Sequence, residues 1–545
     1  MSLRQQQPLF SEIYVFGDSL SDAGGIFNLS SSAIALANVF GLSIPGLAPV
    51  PPPPYTGRFS NGPVFTEIAP SLLGVPSDDV FNFAFGGAQA LGVQTLVDAG
   101  GGLIPPDLLA LVNATPALAP LADVLNQNIN LDGQLALFQE QVAAQPAAEG
   151  SAAFITIGLN DLQAAADFID LSDPFGAAID LLTLAGNVVE ASFDAVEIVL
   201  GAGVDTVVLS TLPASSFFPV AAAFPPELAF FGDLAVDAIN AGLRIGAGLL
   251  RLEGQDVRII DFAALSDEIA ADFGTFGFLT LDQPASISTS PGVTFVENPL
   301  LTGVNVEQVA FFDVLHPTTN LHGVFAAFQV ASLTSNTLFR GEGDDFILGG
   351  LGQDLVLASG GDDRVFAGFG DDIVLAGLGD DEVRGGSGGD LLSGGSGDDR
   401  LFGDSGVDVL AGGAGDDRLE GGFGNDGLID GLGDDVLLGG FGNDVFLYTE
   451  AAILGGAGGD VDRFEGGFGF DTLALLLTAE TLAIEAAHVA ANFVAGRAFT
   501  FATFDLTITG IEQILLTTDF GFDDLALPGG ELGARLADAD LFGFL

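Results

Sequence analysis

The sequence predicts an α/β domain, a parallel sheet covered by helices on both faces, followed by an all-β parallel roll. The first part rests on short apolar runs that end in glycine or a polar turn and alternate with helical stretches. The second rests on an abrupt change at Arg340, beyond which the chain repeats every nine residues as far as Leu447. A length of 545 residues also exceeds a single ordinary core. The expected divisions are 1–338 for the α/β domain, 339–475 for the roll and 476–545 for a C-terminal segment.

Ile13-Tyr14-Val15-Phe16 reads as a buried strand stopped by Gly17. It sets Asp18, Ser19 and Leu20 at the carboxyl edge of the sheet, where open α/β sheets bind ligands. Residues 44–55 include four consecutive prolines and read as a stiff polyproline loop. A helix is expected from about Val64 to Leu73, and Val80–Phe85 forms a second strand that meets Gly86 and Gly87. Residues 115–148 read as helical. Phe154–Ile157, followed by Gly158-Leu159-Asn160-Asp161, repeats the strand-then-polar-turn design. Thr206–Leu209 leading into Ser210 repeats it again after a helix over about 181–200, and Val257–Asp261 is a fifth strand. Asp313, His316 and Pro317 introduce a last helix ending near Ser332. Four strand ends thus bring Ser19, Gly87, Asn160 and Ser210 towards one edge.

From Arg340 to Leu447 the chain is twelve consecutive nine-residue units. The sixth position is always Asp: Asp345, Asp354, Asp363, Asp372, Asp381, Asp390, Asp399, Asp408, Asp417, Asp426, Asp435 and Asp444. The fourth position is always Gly, and the eighth is aliphatic or, at Phe446, aromatic. A glycine-rich turn that offers carbonyls and a carboxylate, then a short strand with one residue pointing inward, predicts a parallel β-roll that binds Ca²⁺ at those aspartates. An oxygen-only ligand set selects a hard cation. Ser359 and Asp404 replace the second-position glycine without breaking the period. The units carry 24 acids against 5 arginines, so cation binding is expected to drive their folding. Extracellular calcium modules bind at roughly 10⁻⁴–10⁻³ M, so the array is expected to be loose inside a cell and to set outside. Two imperfect copies follow within 455–471, then a helix over 478–494 and strands over 499–504 and 506–515. The apolar, acidic C-terminus fits either a cap on the roll or an export signal.

The charge of −60, with 13 arginines and no lysine, excludes nucleic acid as a partner and would repel anionic membranes. With no cysteine, disulfides, thiolate catalysis and Cys-ligated metals are excluded. Residues 1–8 contain no apolar run, so no N-terminal signal peptide is expected, and no transmembrane segment is expected either.

Three histidines are available to activate a Ser19 nucleophile. His488 lies beyond the repeats, and His322 reads as structural. His316 follows Asp313 by three residues, so the carboxylate can orient the imidazole while its other nitrogen serves the serine. Asp22 and Asp161 read as turn or helix-end hydrogen-bonders. Gly385-Gly386-Ser387-Gly388-Gly389 satisfies the G-x-S-x-G elbow pattern, but it lies inside the repeats with no strand-to-helix context.

Gly17-Asp18-Ser19-Leu20, Gly86-Gly87-Ala88 after Asn82, Gly158 to Asp161, and Asp313 to His316 occur in the order of the four blocks of the GDSL, or SGNH, hydrolases. Gly57-Arg58-Phe59-Ser60-Asn61-Gly62 is similar to a further segment of the lipase/esterase branch. The resemblance covers about residues 10–335 and implies a flavodoxin-like three-layer domain that acts as a serine lipase or esterase without a cofactor for catalysis. It implies a Ser19–His316–Asp313 triad and an oxyanion hole from the Ser19 and Gly87 N–H groups, Gly87 in preference to Gly86, with the Asn160 amide. The later part resembles RTX proteins, which implies type I secretion, a secretion apparatus as partner and an extracellular location. Two alternatives stay open: a carbohydrate deacetylase or acyltransferase of the same fold, and a non-enzymatic calcium-dependent surface- or matrix-binding protein. Phe217-Phe218-Pro219, Phe224 and Phe230-Phe231 are expected to line an acyl pocket, to form a flap or to pack in the core.

Overall fold

The computed structural model describes residues 8–18, 20–23, 28, 30–34, 37, 60, 63–85, 88–92, 95, 110, 112–166, 169, 173–219, 225–271, 278, 280–281, 283–288, 295–297, 309–311, 316–340, 343–450, 460–517, 532 and 536. Ser19, Gly87 and Asp313 lie outside the described residues, as do the polyproline segment and the last nine residues. The chain falls into two compact units, one within 4–267 and 280–326, the other within 268–279 and 327–545.

The first unit is built on five strands: β1 (Ile13–Gly17), β2 (Val80–Asn82), β3 (Ala152–Thr156), β4 (Thr206–Ser210) and β5 (Asp256–Ile260). Every neighbouring pair is parallel, in the order β2-β1-β3-β4-β5. The continuous apolar runs of β1, β3 and β4 are buried throughout, whereas the outer β2 and β5 are partly exposed. That is the expected signature of a parallel sheet covered on both faces. Chain order reverses between β1 and β3, so the crevice at their carboxyl ends is the ligand position that this topology favours. Gly17 lies opposite Thr156 there.

The covering helices are α1 (Phe65–Leu72), α2 (Ala119–Leu125), α3 (Leu131–Ala144), α4 (Leu159–Ala166), α5 (Pro174–Gly201), α6 (Pro226–Leu252), α7 (Phe262–Ala271) and α8 (Thr319–Thr334). The single helical stretch expected over 115–148 is broken: a 3₁₀ turn at Pro116–Leu118 precedes α2, and residues 126–130 separate α2 from α3. Proline lacks the N–H a helix needs, and the Asn126–Asn130 run favours turns. The 27-residue helix α6 was not foreseen; Pro226 occupies its first turn, where the missing N–H costs nothing.

The second unit is the roll. Its strands alternate between two nine-stranded sheets, and successive strands of one sheet are offset by 18 residues, as in Asp363 beneath Asp381. One coil is therefore two nine-residue units. Eighth-position residues from Ile347 to Phe446 are fully buried and form the core between the sheets. The strands run to six residues, as in Arg364–Phe369, because pairing continues through the first three positions of the next unit. Second-position glycines from Gly368 to Gly422, and Gly440, sit at positive φ, near 107° at Gly395, and Ser359 and Asp404 are held in the same left-handed region at 73° and 66°. Each costs about 1–2 kcal/mol relative to glycine, too little to disturb the period. Helix α9 (Ala479–Asn492) packs Leu482 and Val489 on this core. The strand expected over 506–515 divides at Gly510, whose φ is 67°. Its halves, Thr507–Thr509 and Gln513–Thr517, join different sheets.

Candidate active site and metal-binding roll

At the end of β1 the backbone is clamped by a side chain that motif reading did not reveal. Gln134 on α3 is fully buried; its Oε1 accepts from the Gly17 N–H at 2.9 Å and its Nε2 donates to the Gly17 carbonyl at 2.8 Å. Gly17 has no room for a side chain, since a Cβ there would stand 2.5 Å from the Thr156 carbonyl oxygen of β3. Beyond Ser19, the Ser21 carbonyl accepts from Asn82 Nδ2 at 2.8 Å and from Thr66 Oγ1 at 2.9 Å. Gly17 and Ser21, on either side of Ser19 in the chain, are thus each held by side chains. Truncating Gln134 to Ala strands a buried N–H and carbonyl, which costs about 2–4 kcal/mol. A lowered urea midpoint together with weaker ester hydrolysis is the expected result.

The segment after Gly87 is held from two directions. Asp161 accepts from the Ala90 and Leu91 N–H groups at 2.7 and 3.1 Å. The buried Asn130 accepts from the Gln89 N–H at 3.0 Å and donates to the Leu91 carbonyl at 2.7 Å. Asn160, at the start of α4, points its amide at the Ala88 carbonyl at 3.0 Å, so it lies beside the residue that follows Gly87. Asp161 is a loop anchor, as its position suggested. Ser210 is buried and its hydroxyl accepts from Thr156 at 2.9 Å, which makes it a strut between strand ends.

His316 is nearly buried, and a bridge pairs Phe311 with the adjacent Pro317. Thr318 reinforces that bridge through its N–H to the Ala310 carbonyl at 2.9 Å and its hydroxyl to Val309 at 2.8 Å. Phe217 and Phe218 pack edge-on against Phe311, so this part of the aromatic segment is core, while Phe230 is exposed. His322 is fully buried and accepts from the Phe65 N–H at 3.3 Å; burial first, then His316, lowers its pKa to about 3 and keeps it neutral.

Asp18 brings the two ends of the site together electrostatically. Burial pushes its carboxyl up to about 7, against the opposing pull of the Leu20 N–H and of His316. His316 is thus within electrostatic range of the residue beside Ser19. A folded pKa above the unfolded value means that the protonated form is favoured by folding, so the associated stability is present below pH 4 and lost as pH rises through about 7. Asp18→Asn is expected to raise the melting temperature more at pH 8.5 than at pH 5. Equal shifts at both pH values would contradict this account of Asp18.

In the roll, the sixth-position aspartates form two columns. In one, Oδ1 of Asp363, Asp381, Asp399, Asp417, Asp435 and Asp462 each accepts from the N–H of the aspartate one coil earlier, at 2.7–3.1 Å. The other runs through Asp372, Asp390, Asp408, Asp426, Asp444 and Asp471, starting from the N–H of Asp354. Asp462 and Asp471 continue the columns at an offset of 27 residues instead of 18. The second oxygens of Asp363, Asp381, Asp399, Asp417, Asp426, Asp444 and Asp471 are buried without a hydrogen-bond partner. Burial and neighbouring carboxylates push Asp399 up to about 8 and Asp417 to about 9. Buried, unsatisfied carboxylate oxygens at regular intervals beside glycine carbonyls fit Ca²⁺. Asp354, at the N-terminal end, differs: Asn336 and the Gly350 N–H occupy its two oxygens. Among the described residues no helix is long and apolar enough to cross a membrane.

Comparison with known proteins agrees with this architecture. The family described as GDSL-like lipase/acylhydrolase matches residues 13–327, and the RTX calcium-binding nonapeptide repeat matches 339–374, 375–410 and 411–446. Acetylajmalan esterase 2 of Rauvolfia serpentina is 35% identical over 105 residues, 17% of this chain and 27% of the relative. A phosphatidylcholine-sterol acyltransferase of Aeromonas hydrophila is 38% identical over 85 residues, 16% and 21% of the two chains. A GDSL esterase/lipase of Arabidopsis thaliana is 34% identical over 97 residues, 18% and 24%. The chain thus spans about a quarter of the length of the curated relatives it matches. Because the family match runs through more than half of the chain, from β1 into α8, the protein belongs to the GDSL-like lipase/acylhydrolase family, with RTX calcium-binding repeats following that domain.

Proposed function

We propose that the protein is a serine ester hydrolase, a lipase or esterase, whose C-terminal roll folds on Ca²⁺. The observation that carries this reading is the braced turn at the β1/β3 switch point, with Asn160 on one side and His316 close enough to Asp18 to shift its carboxyl. In the mechanism, Ser19 attacks the ester carbonyl while His316 takes its proton, and Asp313 orients the imidazole. The N–H groups of Ser19 and Gly87 and the Asn160 amide receive the developing oxyanion, each donor being worth about 3–4 kcal/mol. His316 returns the proton to the leaving alcohol, and water activated by the same histidine releases the acid from the acyl-enzyme.

The aspartate columns would hold Ca²⁺ through their buried second oxygens, and the bound ions offset the charge that opposes folding of the roll. The domain limits proposed are 1–338, 339–475 and 476–545. Repeats of this kind are typical of secreted proteins, which supports an extracellular site of action and export by a type I apparatus. Hydrolysis of p-nitrophenyl esters from acetate to palmitate, measured in millimolar Ca²⁺, tests the activity; no turnover at any chain length would overturn it. The acyltransferase among the relatives favours a second reading, acyl transfer. A competing alcohol that is converted to its ester faster than water gives the acid would establish that reading.

A further inference from the structure

The first position of each nine-residue unit is Gly or Ala in ten of the twelve, Arg340 in the first and Asp430 in the eleventh. The small residues have a steric origin. A Cβ built on Gly394, Gly412, Gly421 or Gly439 would run into Oδ2 of the aspartate five residues later. A side chain at this position is therefore aimed at the metal-facing oxygen of its own unit. At Asp430 that side chain is itself a carboxylate.

Asp430, Asp435 and Asp462 are all buried, at 8%, 1% and 3% exposure, and one oxygen from each lies within 4.8 Å of the others. Asp430 Oδ1 and Asp435 Oδ2 are buried without a hydrogen-bond partner. Asp434 and Asp460 add further negative charge around Asp462, and the adjacent Arg463 is paired with Glu465. The cluster lies where the column offset lengthens from 18 to 27 residues. We propose that Asp430, Asp435 and Asp462 form a three-carboxylate site that binds a hard cation, Ca²⁺ or a lanthanide, more tightly than the regular repeats, whose first position carries no carboxylate, and so fills first. The proposal rests on the reading that the roll binds Ca²⁺. Affinity among oxygen-ligand sites rises with ligand charge, and the third carboxylate sits where the coil offset first lengthens, from 18 to 27 residues. The buried Tyr448 lies beside the cluster: Ile429 pairs with Leu447 and the Asp430 N–H donates to the Leu447 carbonyl at 3.0 Å, next to Tyr448 on the neighbouring strand. The chain has three tyrosines and no tryptophan, so Tyr448 is a local antenna for bound Tb³⁺.

The test is titration of the full-length protein with Tb³⁺, exciting tyrosine, and competition of the signal by Ca²⁺. Wild-type emission should rise at the lowest Tb³⁺ additions, and Tyr448→Phe should lose most of it. Asp430→Gly, which restores the repeat's own residue, and Asp430→Asn, which keeps the shape, should each weaken the Ca²⁺ midpoint roughly tenfold or more. Far-UV circular dichroism in saturating Ca²⁺ should show both variants folded. Wild-type midpoints in either folded variant would overturn the three-carboxylate site. A wild-type chain that binds no Ca²⁺ at all would overturn the broader reading of the roll along with it.

Discussion

Replacing Ser19 with Ala is expected to lower kcat on p-nitrophenyl esters by about four to six orders of magnitude. Nucleophile and base act as a unit, so removing either costs about as much as removing the whole triad. What survives is catalysis from the oxyanion donors and binding alone, roughly 10³–10⁴ over water. His316→Ala should fall to a similar level, and the double variant should be no worse than either single one. Additive losses would show that the two residues do not act in one step. Neither residue belongs to the roll, so the calcium-dependent circular dichroism of both variants should match that of the wild type.

The second large effect concerns metal. Chelation of Ca²⁺ from the full-length protein should abolish most of the β signal contributed by the roll, and re-addition should restore it. The magnitudes decide this outcome. Each buried carboxylate must, without a cation, either stay charged or take up a proton, at a cost, and seven carboxylates of the columns have a buried second oxygen with no hydrogen-bond partner. A domain's whole stability is only about 5–15 kcal/mol, so the penalty exceeds what the aliphatic core can offset. A metal-free chain whose β signal and melting curve equal those of the calcium-loaded chain would refute metal-coupled folding.

The features legible in the sequence are those with a local physical cause. A glycine or polar turn that ends an apolar run marks the carboxyl edge of a strand, and this located β1 and β3 by Gly17 and Gly158 and β4 by Ser210. The roll was legible because each unit repeats the same turn chemistry, so position alone identifies the inward aliphatic and the column aspartate. The supporting residues were harder to find, because their partners lie far away in the chain. Gln134 is 117 residues from Gly17, and its signal was a polar side chain sharing a helix face with Leu131, Leu135 and Phe138. Asn130 joins distant backbone groups in the same way, and only the fold shows which. Helix α6 was obscured by its Pro225-Pro226 start and its paired phenylalanines, which suggested a broken aromatic loop. Asp462 was hidden because it lies 27 residues after Asp435, out of the 18-residue register of the earlier coils. Asp430 was visible throughout, but its significance depends on where a first-position side chain points.

The most direct test of the central claim is covalent labelling of the calcium-loaded protein with a fluorophosphonate, followed by peptide mass spectrometry. A single adduct per chain on the peptide containing Ser19, lost in Ser19→Ala and strongly slowed in His316→Ala, is the predicted result. An adduct on any other serine with Ser19 unmodified, or undiminished ester hydrolysis by Ser19→Ala, would contradict it.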